Sequence, residues 1–369
     1  MKILHVVPSF GLGGMEKVLC SIVNGISQDV FHEILALDNE MGARHWIENE
    51  AVRFLSFKKA STRFQFFRNL YKTIKESDPN ILMTYNWGAT DAIWLGRLAG
   101  ISTIYHSEHG FNVDEAQKRQ WKRNIVRTVV YRLVKRVIVV SNELREMLKQ
   151  CYWLADDQVE FIPNGINCEY FIGNAEVRQQ IRTKLGVKNN EVLLGYLGRL
   201  DPVKNFDLLL DGFELCVKED PAFKLMLIGD GPQKNHIKAL CRKKNLERKV
   251  LLVGKQKDVL PFIRALDVFV LTSFREQMPM SLLEAMAVSI PVVAVAVGDI
   301  TKLVEQEKQG LLLPLDVENA AEVMASCFHQ LREARKRQTM GRAARQKIIS
   351  TYQERDMLHD YARLLQAEE

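Results

Sequence analysis

Phe161-Ile162-Pro163-Asn164-Gly165-Ile166-Asn167 is the stretch on which the fold is decided. Proline presets its own φ and Asn-Gly accepts left-handed backbone, so Pro163 and Asn164-Gly165 mark a turn. Upstream of it, short apolar bursts stand at Ile3–Val7, Glu33–Leu37, Ile81–Thr84, Thr103–His106 and Arg136–Val140. Helical periodicity fills the gaps, most clearly around 15–26, 66–77 and 90–99. Downstream the alternation restarts. Strand candidates are Val192–Leu197, Lys224–Ile228, Val250–Val253, Val268–Leu271 and Val292–Ala294, with helices near 205–218, 233–245, 258–265 and 281–288. Strands alternating with helices predict a parallel sheet covered on both faces. A pause and a restart predict two: an α/β protein of two doubly wound, Rossmann-like domains, 1–168 and 169–350, facing each other across a cleft. From Glu318 onward the chain reads as helix. Its amphipathic end, Asp356 to Ala367, predicts that 351–369 returns to complete the first domain.

Composition narrows the class. At 369 residues the chain is long for a single core, and 47% apolar with 26% charged residues suits packed domains rather than a disordered chain. No apolar run reaches the roughly 18 residues of a spanning helix. Met1 to Phe10 reads as a buried first strand, not a secretion signal. The six cysteines are scattered without metal-ligand spacing, which predicts reduced thiols in the cytosol and no structural zinc.

The net charge of +6 is modest, but cations cluster in 118–136, KRQWKRNIVRTVVYRLVKR. Lys118, Arg119, Lys122, Arg123, Arg127, Arg132, Lys135 and Arg136 alternate there with Trp121, Ile125, Val129 and Tyr131, a basic amphipathic helix by spacing. Two readings stand: a surface helix with its apolar face on the core, or a patch that docks on anionic lipid headgroups, each cation contributing about 1 kcal/mol. Stacking platforms and recognition motifs for nucleic acid are missing.

Chemistry-bearing residues follow the strands. After the first comes Gly11-Leu12-Gly13-Gly14-Met15-Glu16, where a dinucleotide fingerprint would need glycine at 16. What survives is a glycine loop at a helix start, able to approach an anion or simply to turn. Gly198-Arg199-Leu200-Asp201-Pro202-Val203-Lys204-Asn205 follows the first strand of the second half. There Arg199 and Lys204 can converge on a diphosphate, one as a planar fork and one as a point charge. The fullest signal is Ser273-Phe274-Arg275-Glu276-Gln277-Met278-Pro279-Met280-Ser281-Leu282-Leu283-Glu284. It puts Glu276 on a loop and Glu284 within a helix. Carboxylates suit vicinal diols, and the amides of Met280, Ser281 and Leu282 are expected free for phosphate. Glu284 lies among Leu, Ala and Met, a costly place for an acid without a partner. His106-Ser107-Glu108-His109-Gly110 and Gly229-Asp230-Gly231-Pro232 add a histidine at a strand end and a glycine turn open to a ligand.

Taken in order, GGMEK, EHG, FIPNGIN, GRLDPVKN, LIGDGP, the Glu276–Glu284 pair and PVVAVAVGD resemble glycosyltransferase family 4, retaining enzymes of the two-domain GT-B fold. The His-Ser-Glu-His-Gly segment is similar to exopolysaccharide-associated sugar transferases. The resemblance implies that Arg199 and Lys204 hold the donor diphosphate and stabilise its leaving charge. It also implies that Glu284 binds the ribose, Glu276 and His109 meet the transferred sugar, and Gly13-Gly14 closes over phosphate or acceptor. Gly254-Lys255 would lie near the base, and Gly229 would give the donor close backbone access. The donor implied is a UDP-sugar or a GDP-sugar, the acceptor a polysaccharide or lipid-linked saccharide. No metal or other cofactor is called for, because cations and a helix tip do that work. The place implied is cytoplasmic, at the inner face of the plasma membrane if 118–136 docks there. The chain departs from the family pattern at Gln277, at Gly298-Asp299 with Lys302, and at Asn167. These changes bear on the sugar pocket more than on the diphosphate. Two other classes fit the same fold: an epimerase or hydrolase that consumes the donor without acceptor, and a non-catalytic nucleotide-sugar binder.

Overall fold

The structure, a computed structural model, describes residues 1–27, 29–110 and 121–366. The chain divides into two compact units, Met1–Asn164 with Arg355–Glu369, and Gly165–Glu354. Each is built on a parallel sheet.

In the first unit the strands are β1 (Lys2–Val7), β2 (Phe31–Ala36), β3 (Val52–Leu55), β4 (Ile81–Tyr85), β5 (Thr103–Glu108), β6 (Arg136–Val139) and β7 (Val159–Phe161), in the order β3-β2-β1-β4-β5-β6-β7. Its helices are α1 (Gly14–Gly25), α2 (Arg63–Ser77), α3 (Asp91–Leu98), α4 (Trp121–Val130) and α5 (Asn142–Tyr152). Polar residues start helices where the sequence supplies them. Thr62 accepts the Gln65 amide at 3.2 Å, and Ser141 accepts that of Leu144 at 3.1 Å.

The second unit runs α6 (Ala175–Lys184), β8 (Val192–Leu197), α7 (Phe206–Glu219), β9 (Phe223–Ile228), α8 (Lys234–Lys243), β10 (Val250–Gly254), α9 (Leu260–Ala265), β11 (Val268–Leu271), α10 (Met280–Ala287), β12 (Val292–Val295), α11 (Ile300–Leu303) and β13 (Gly310–Leu313). Two further helices, α12 (Ala320–Gln330) and α13 (Ala334–Thr351), follow. The sheet order is β10-β9-β8-β11-β12-β13. In both sheets the order reverses beside the first strand, the switch point where such folds place ligands beyond the strands' carboxyl ends.

The last helix, α14 (Glu354–Gln366), belongs to the first unit. It comes close to α1 because Gly25 has no side chain: a Cβ there would lie 2.3 Å from Leu358. The Tyr105 hydroxyl donates to the Leu364 carbonyl at 3.2 Å, tying α14 to β5. Near the crossover the chain is stitched to itself, with Ile166 paired to Gln353 and the Ile166 amide on the Tyr352 carbonyl at 2.9 Å.

Three strands went unread in the sequence. β3 is Val-Arg-Phe-Leu at a sheet edge, β7 has three residues at the opposite edge, and β13 begins at a glycine. That glycine is required by packing, since a Cβ on Gly310 would meet the Val292 carbonyl at 2.1 Å.

Candidate functional site

In the second unit the loop after β8 and the loop after β11 are clipped together. The Thr272 hydroxyl donates to the Lys204 carbonyl at 2.8 Å, and the Phe274 amide donates to the Val203 carbonyl at 2.9 Å. This brings together two residues that are 72 positions apart. The Lys204 ammonium lies 2.5 Å from Glu276 Oε1, and the Ser273 hydroxyl donates to the same oxygen at 2.6 Å. Among the described residues both contacts of Glu276 fall on Oε1, which leaves Oε2 to accept from a ligand hydroxyl. Lys204 is mostly covered, so its charge is screened less than that of a surface lysine.

Glu284 sits on α10 with 1% of its surface exposed. Its helix starts at Pro279, and one sequence expectation needs correction there. The Leu282 amide already donates to the Pro279 carbonyl at 3.1 Å, so the tip amides are those of Met280 and Ser281. Arg199 is 74% exposed and pairs with Asp201 at 3.1 Å. Its strand end rests on Tyr196, whose hydroxyl donates to the Arg199 carbonyl at 2.9 Å. Burial, with the nearby charges of Glu276 and Asp201, pushes the Tyr196 hydroxyl well above its usual pKa.

Gly229 has a packing reason for being glycine. Its φ is +140°, and a Cβ would lie 1.9 Å from the Gly198 carbonyl. The Gly229–Pro232 turn is held against Leu200, whose amide donates to the Asp230 carbonyl at 3.0 Å. Lys255 is exposed just past Gly254, whose carbonyl accepts the Gly229 amide at 2.9 Å.

In the first unit Gly13 caps α1 and Gly14 begins it. The Glu16 side chain folds back over this tip, and a Cβ on Gly13 would lie 2.3 Å from Glu16 Oε2. His109 follows β5. Its Nε2 lies 3.0 Å from Ser107 Oγ, its amide donates to Asn86 Oδ1 at 2.8 Å, and its ring stacks on Tyr85 at 6.3 Å between centroids. Burial lowers its pKa to about 4, so the ring is neutral at pH 7. Behind Tyr85 lies a buried chain: the Tyr85 hydroxyl is 2.9 Å from His5 Nδ1, and His5 Nε2 is 2.9 Å from His32 Nδ1. Sequence reading gives Ser273 a place in the motif but no role, and does not single out Thr272, Asn86 or Tyr85, because their roles depend on distant partners.

The basic segment also differs from expectation. Residues 118–120 lie outside the described residues. The helix ends at Val130, a short turn spans Tyr131–Leu133, and Arg136 opens β6, so no single helix covers 118–136. The helix is inside out relative to a plain surface helix. Trp121, Ile125 and Val129 are 66%, 56% and 57% exposed, while Arg127 is buried. The Arg127 guanidinium lies 3.8 Å from buried Glu108 and 5.0 Å over the Trp87 ring, and Arg123 covers the same ring at 5.4 Å. Burial tends to raise the pKa of Glu108. The His106 ring 3.7 Å away, the Arg127 charge and the hydrogen bond from the Tyr131 hydroxyl outweigh it and hold the carboxyl below its usual range.

Comparison with known proteins agrees with this architecture. Residues 12–170 match the family described as Glycosyltransferase Family 4, and residues 177–347 match Glycosyl transferases group 1. The UDP-Gal:alpha-D-GlcNAc-diphosphoundecaprenol alpha-1,3-galactosyltransferase of Escherichia coli is 26% identical over 300 residues, spanning 77% of this chain and 74% of that one. The N-acetyl-alpha-D-glucosaminyl L-malate synthase of Bacillus anthracis is 28% identical over 182 residues, 49% of this chain and 47% of that one. Among solved structures, Anabaena Alr3699/HepE in complex with UDP-glucose superposes with a TM-score of 0.85 at 20% identity over 100% of both chains. WaaG, a glycosyltransferase involved in lipopolysaccharide biosynthesis, does so with a TM-score of 0.78 at 13% identity over 99% of both. Both share the fold. The chain belongs to glycosyltransferase family 4 and has the two α/β domains of the GT-B fold.

Proposed function

We propose that this family 4 glycosyltransferase moves a sugar from a nucleoside diphosphate donor, a UDP-sugar first and a GDP-sugar second, onto a polysaccharide or lipid-linked saccharide with retention of configuration. The observation that carries the reading is the Lys204–Glu276 contact. A mostly covered cation for phosphate stands beside a carboxylate with one oxygen left for a sugar hydroxyl. The ligand names printed for the relatives point the same way: the Escherichia coli enzyme is named for UDP-Gal, and the HepE structure holds UDP-glucose.

In this reading Lys204, Arg199 and the amides of Met280 and Ser281 stabilise the charge that builds on the diphosphate as its bond to the sugar breaks. That charge is met by fixed donors, so the reaction calls for no metal. The acceptor oxygen attacks the anomeric carbon from the face the diphosphate leaves, and a donor phosphate oxygen takes its proton. Glu284 accepts from the ribose and Glu276 from the transferred sugar. We assign His109 to that sugar as a neutral hydrogen-bonding partner, since its lowered pKa leaves no charge at pH 7. Lys204→Ala is expected to cut turnover by about tenfold or more. Radiolabelled sugar transfer measures it, and an unchanged rate removes Lys204 from the diphosphate. Donor consumption that needs no acceptor would make the protein a hydrolase or epimerase instead.

We place the first unit on an anionic membrane surface at the cytoplasmic face. Trp121, Ile125, Val126 and Val129 are exposed alongside the cations Lys122, Arg132 and Lys135, an apolar stripe bordered by positive charge. Trp121→Ala with Ile125→Ser is expected to release the protein from phosphatidylglycerol vesicles in a flotation assay. A wild-type protein that never floats with them ends the membrane reading.

A further inference from the structure

Asn86 holds a backbone conformation that almost only glycine adopts, with φ 54° and ψ 175°. Asparagine tolerates positive φ in the left-handed helical region, but there ψ is near 45°, far from the value here. A glycine at this turn would be free of strain, so the side chain must be kept for something glycine cannot do. Its Oδ1 accepts the His109 amide at 2.8 Å. Its own amide donates to the Ser107 carbonyl at 2.9 Å, which locks the end of β4 to the end of β5 one residue before Glu108. The residue before it, Tyr85, stacks on the His109 ring, and Ser107 holds Nε2 of that ring. The strained residue therefore contacts His109 directly and adjoins, in chain or by hydrogen bond, both Tyr85 and Ser107, which hold its ring.

We propose that Asn86 is the positioning residue for His109, its strained backbone aiming Oδ1 at the His109 amide so that the imidazole is presented in one orientation. This rests on the assignment of His109 to the transferred sugar. The device stores strain in the first unit and spends it on orientation, the usual place for a backbone outlier beside a reacting group.

The test uses the full chain with Asn86→Gly and Asn86→Asp, and UDP-glucose, UDP-galactose and GDP-mannose as donors. Glycine removes both the strain and the acceptor, whereas aspartate keeps an oxygen in the same place. Asn86→Gly is expected to melt within about 3 °C of wild type or higher, the gain from relieved strain offsetting the lost bond. Its His109 amide should exchange with deuterium about tenfold faster, and kcat should fall about tenfold with KM little changed. Asn86→Asp should retain slow exchange and most of the turnover. Asn86→Gly with wild-type exchange and turnover overturns the proposal. So does a glycine variant that loses stability and activity together, the mark of a merely structural residue. If the wild type consumes none of the three donors while the exchange arm behaves as stated, the choice of these donors has failed and the Asn86–His109 link has not.

Discussion

β1 and β5 of the first unit bury His5, His106, Ser107 and Glu108, while β11 and β12 of the second are Val-Phe-Val-Leu and Val-Val-Ala-Val. The same architecture thus handles polarity in opposite ways. The second unit keeps charge out of β11 and β12 and sets Lys204 and Glu276 on loops at the carboxyl ends of its strands. A deep ionic cluster, Asp267 with Arg178 and Arg182 at 2.7 and 2.8 Å, braces α6 against the start of β11. The first unit runs polar groups through the sheet itself, directly behind His109. Such groups are stable only when satisfied, and they fix side-chain orientation at a cost in robustness. The contrast supports the proposed division of work, with the second unit binding the donor and the first positioning His109.

The sharpest way to break this contrast is Arg127→Ala. Glu108 would be left buried without its cation, and losing one partner of a buried pair costs about 3–5 kcal/mol. Hydrogen exchange should show β4 and β5 opening at lower denaturant while β8 and β11 stay protected. Equal loss in both units would mean that the Glu108 cluster is not local to the first.

Acid should separate the units next. The His32 pKa is lowered from 6.5 to about 4 by burial, and that of His109 likewise. Since their folded values lie below the unfolded ones, the unfolded chain takes up protons first. Their contribution is complete above pH 6.5 and is lost as pH falls from there to 4. His32 alone amounts to about 3 kcal/mol by linkage. In the second unit Asp267 is held below its ordinary 3.8: burial opposes ionisation, but Arg178 and Arg182 outweigh it. Its contribution is present above pH 3.8 and is lost only as pH falls through the lower folded value. Exchange at pH 5 should therefore report a weakened first unit and an intact second, and parallel weakening would refute the assignment.

The same contrast explains what could be read from sequence. Val268–Leu271 and Val192–Leu197 were legible because a fully buried parallel strand is an uninterrupted apolar run. β3 was not, since Arg53 interrupts it at an edge where 69% of that side chain is exposed. Helical spacing found the two faces of α4 but not which one points inward. That is settled by Glu108, 19 positions before Arg127 in the chain, drawing the cation into the core. The motif spacing nominated Lys204, Glu276 and Glu284, yet the Lys204–Glu276 contact and the Ser273 hydroxyl beneath it depend on two loops meeting. The strain at Asn86 leaves no trace in composition or periodicity, because asparagine is common in turns of every kind.

The smallest effect tests binding in the second unit without touching its fold. Glu284→Gln preserves shape and keeps one acceptor oxygen, so the free protein should melt near the wild-type temperature. What changes is the strength of the bond to a ligand hydroxyl, since hydrogen bonds to a charged acceptor are worth about 1.5–3 kcal/mol against about 1 for a neutral one. Titration calorimetry with UDP, and with GDP should UDP not bind, is expected to show affinity reduced by about two- to thirtyfold. UDP carries the ribose but no hexose, so it isolates Glu284 from Glu276. In the same assay Glu276→Gln should leave UDP affinity less affected while weakening the intact donor. If Glu284→Gln binds UDP like wild type, its carboxylate serves the core of α10 rather than the ribose, and binding in this unit rests on the Lys204 loop alone.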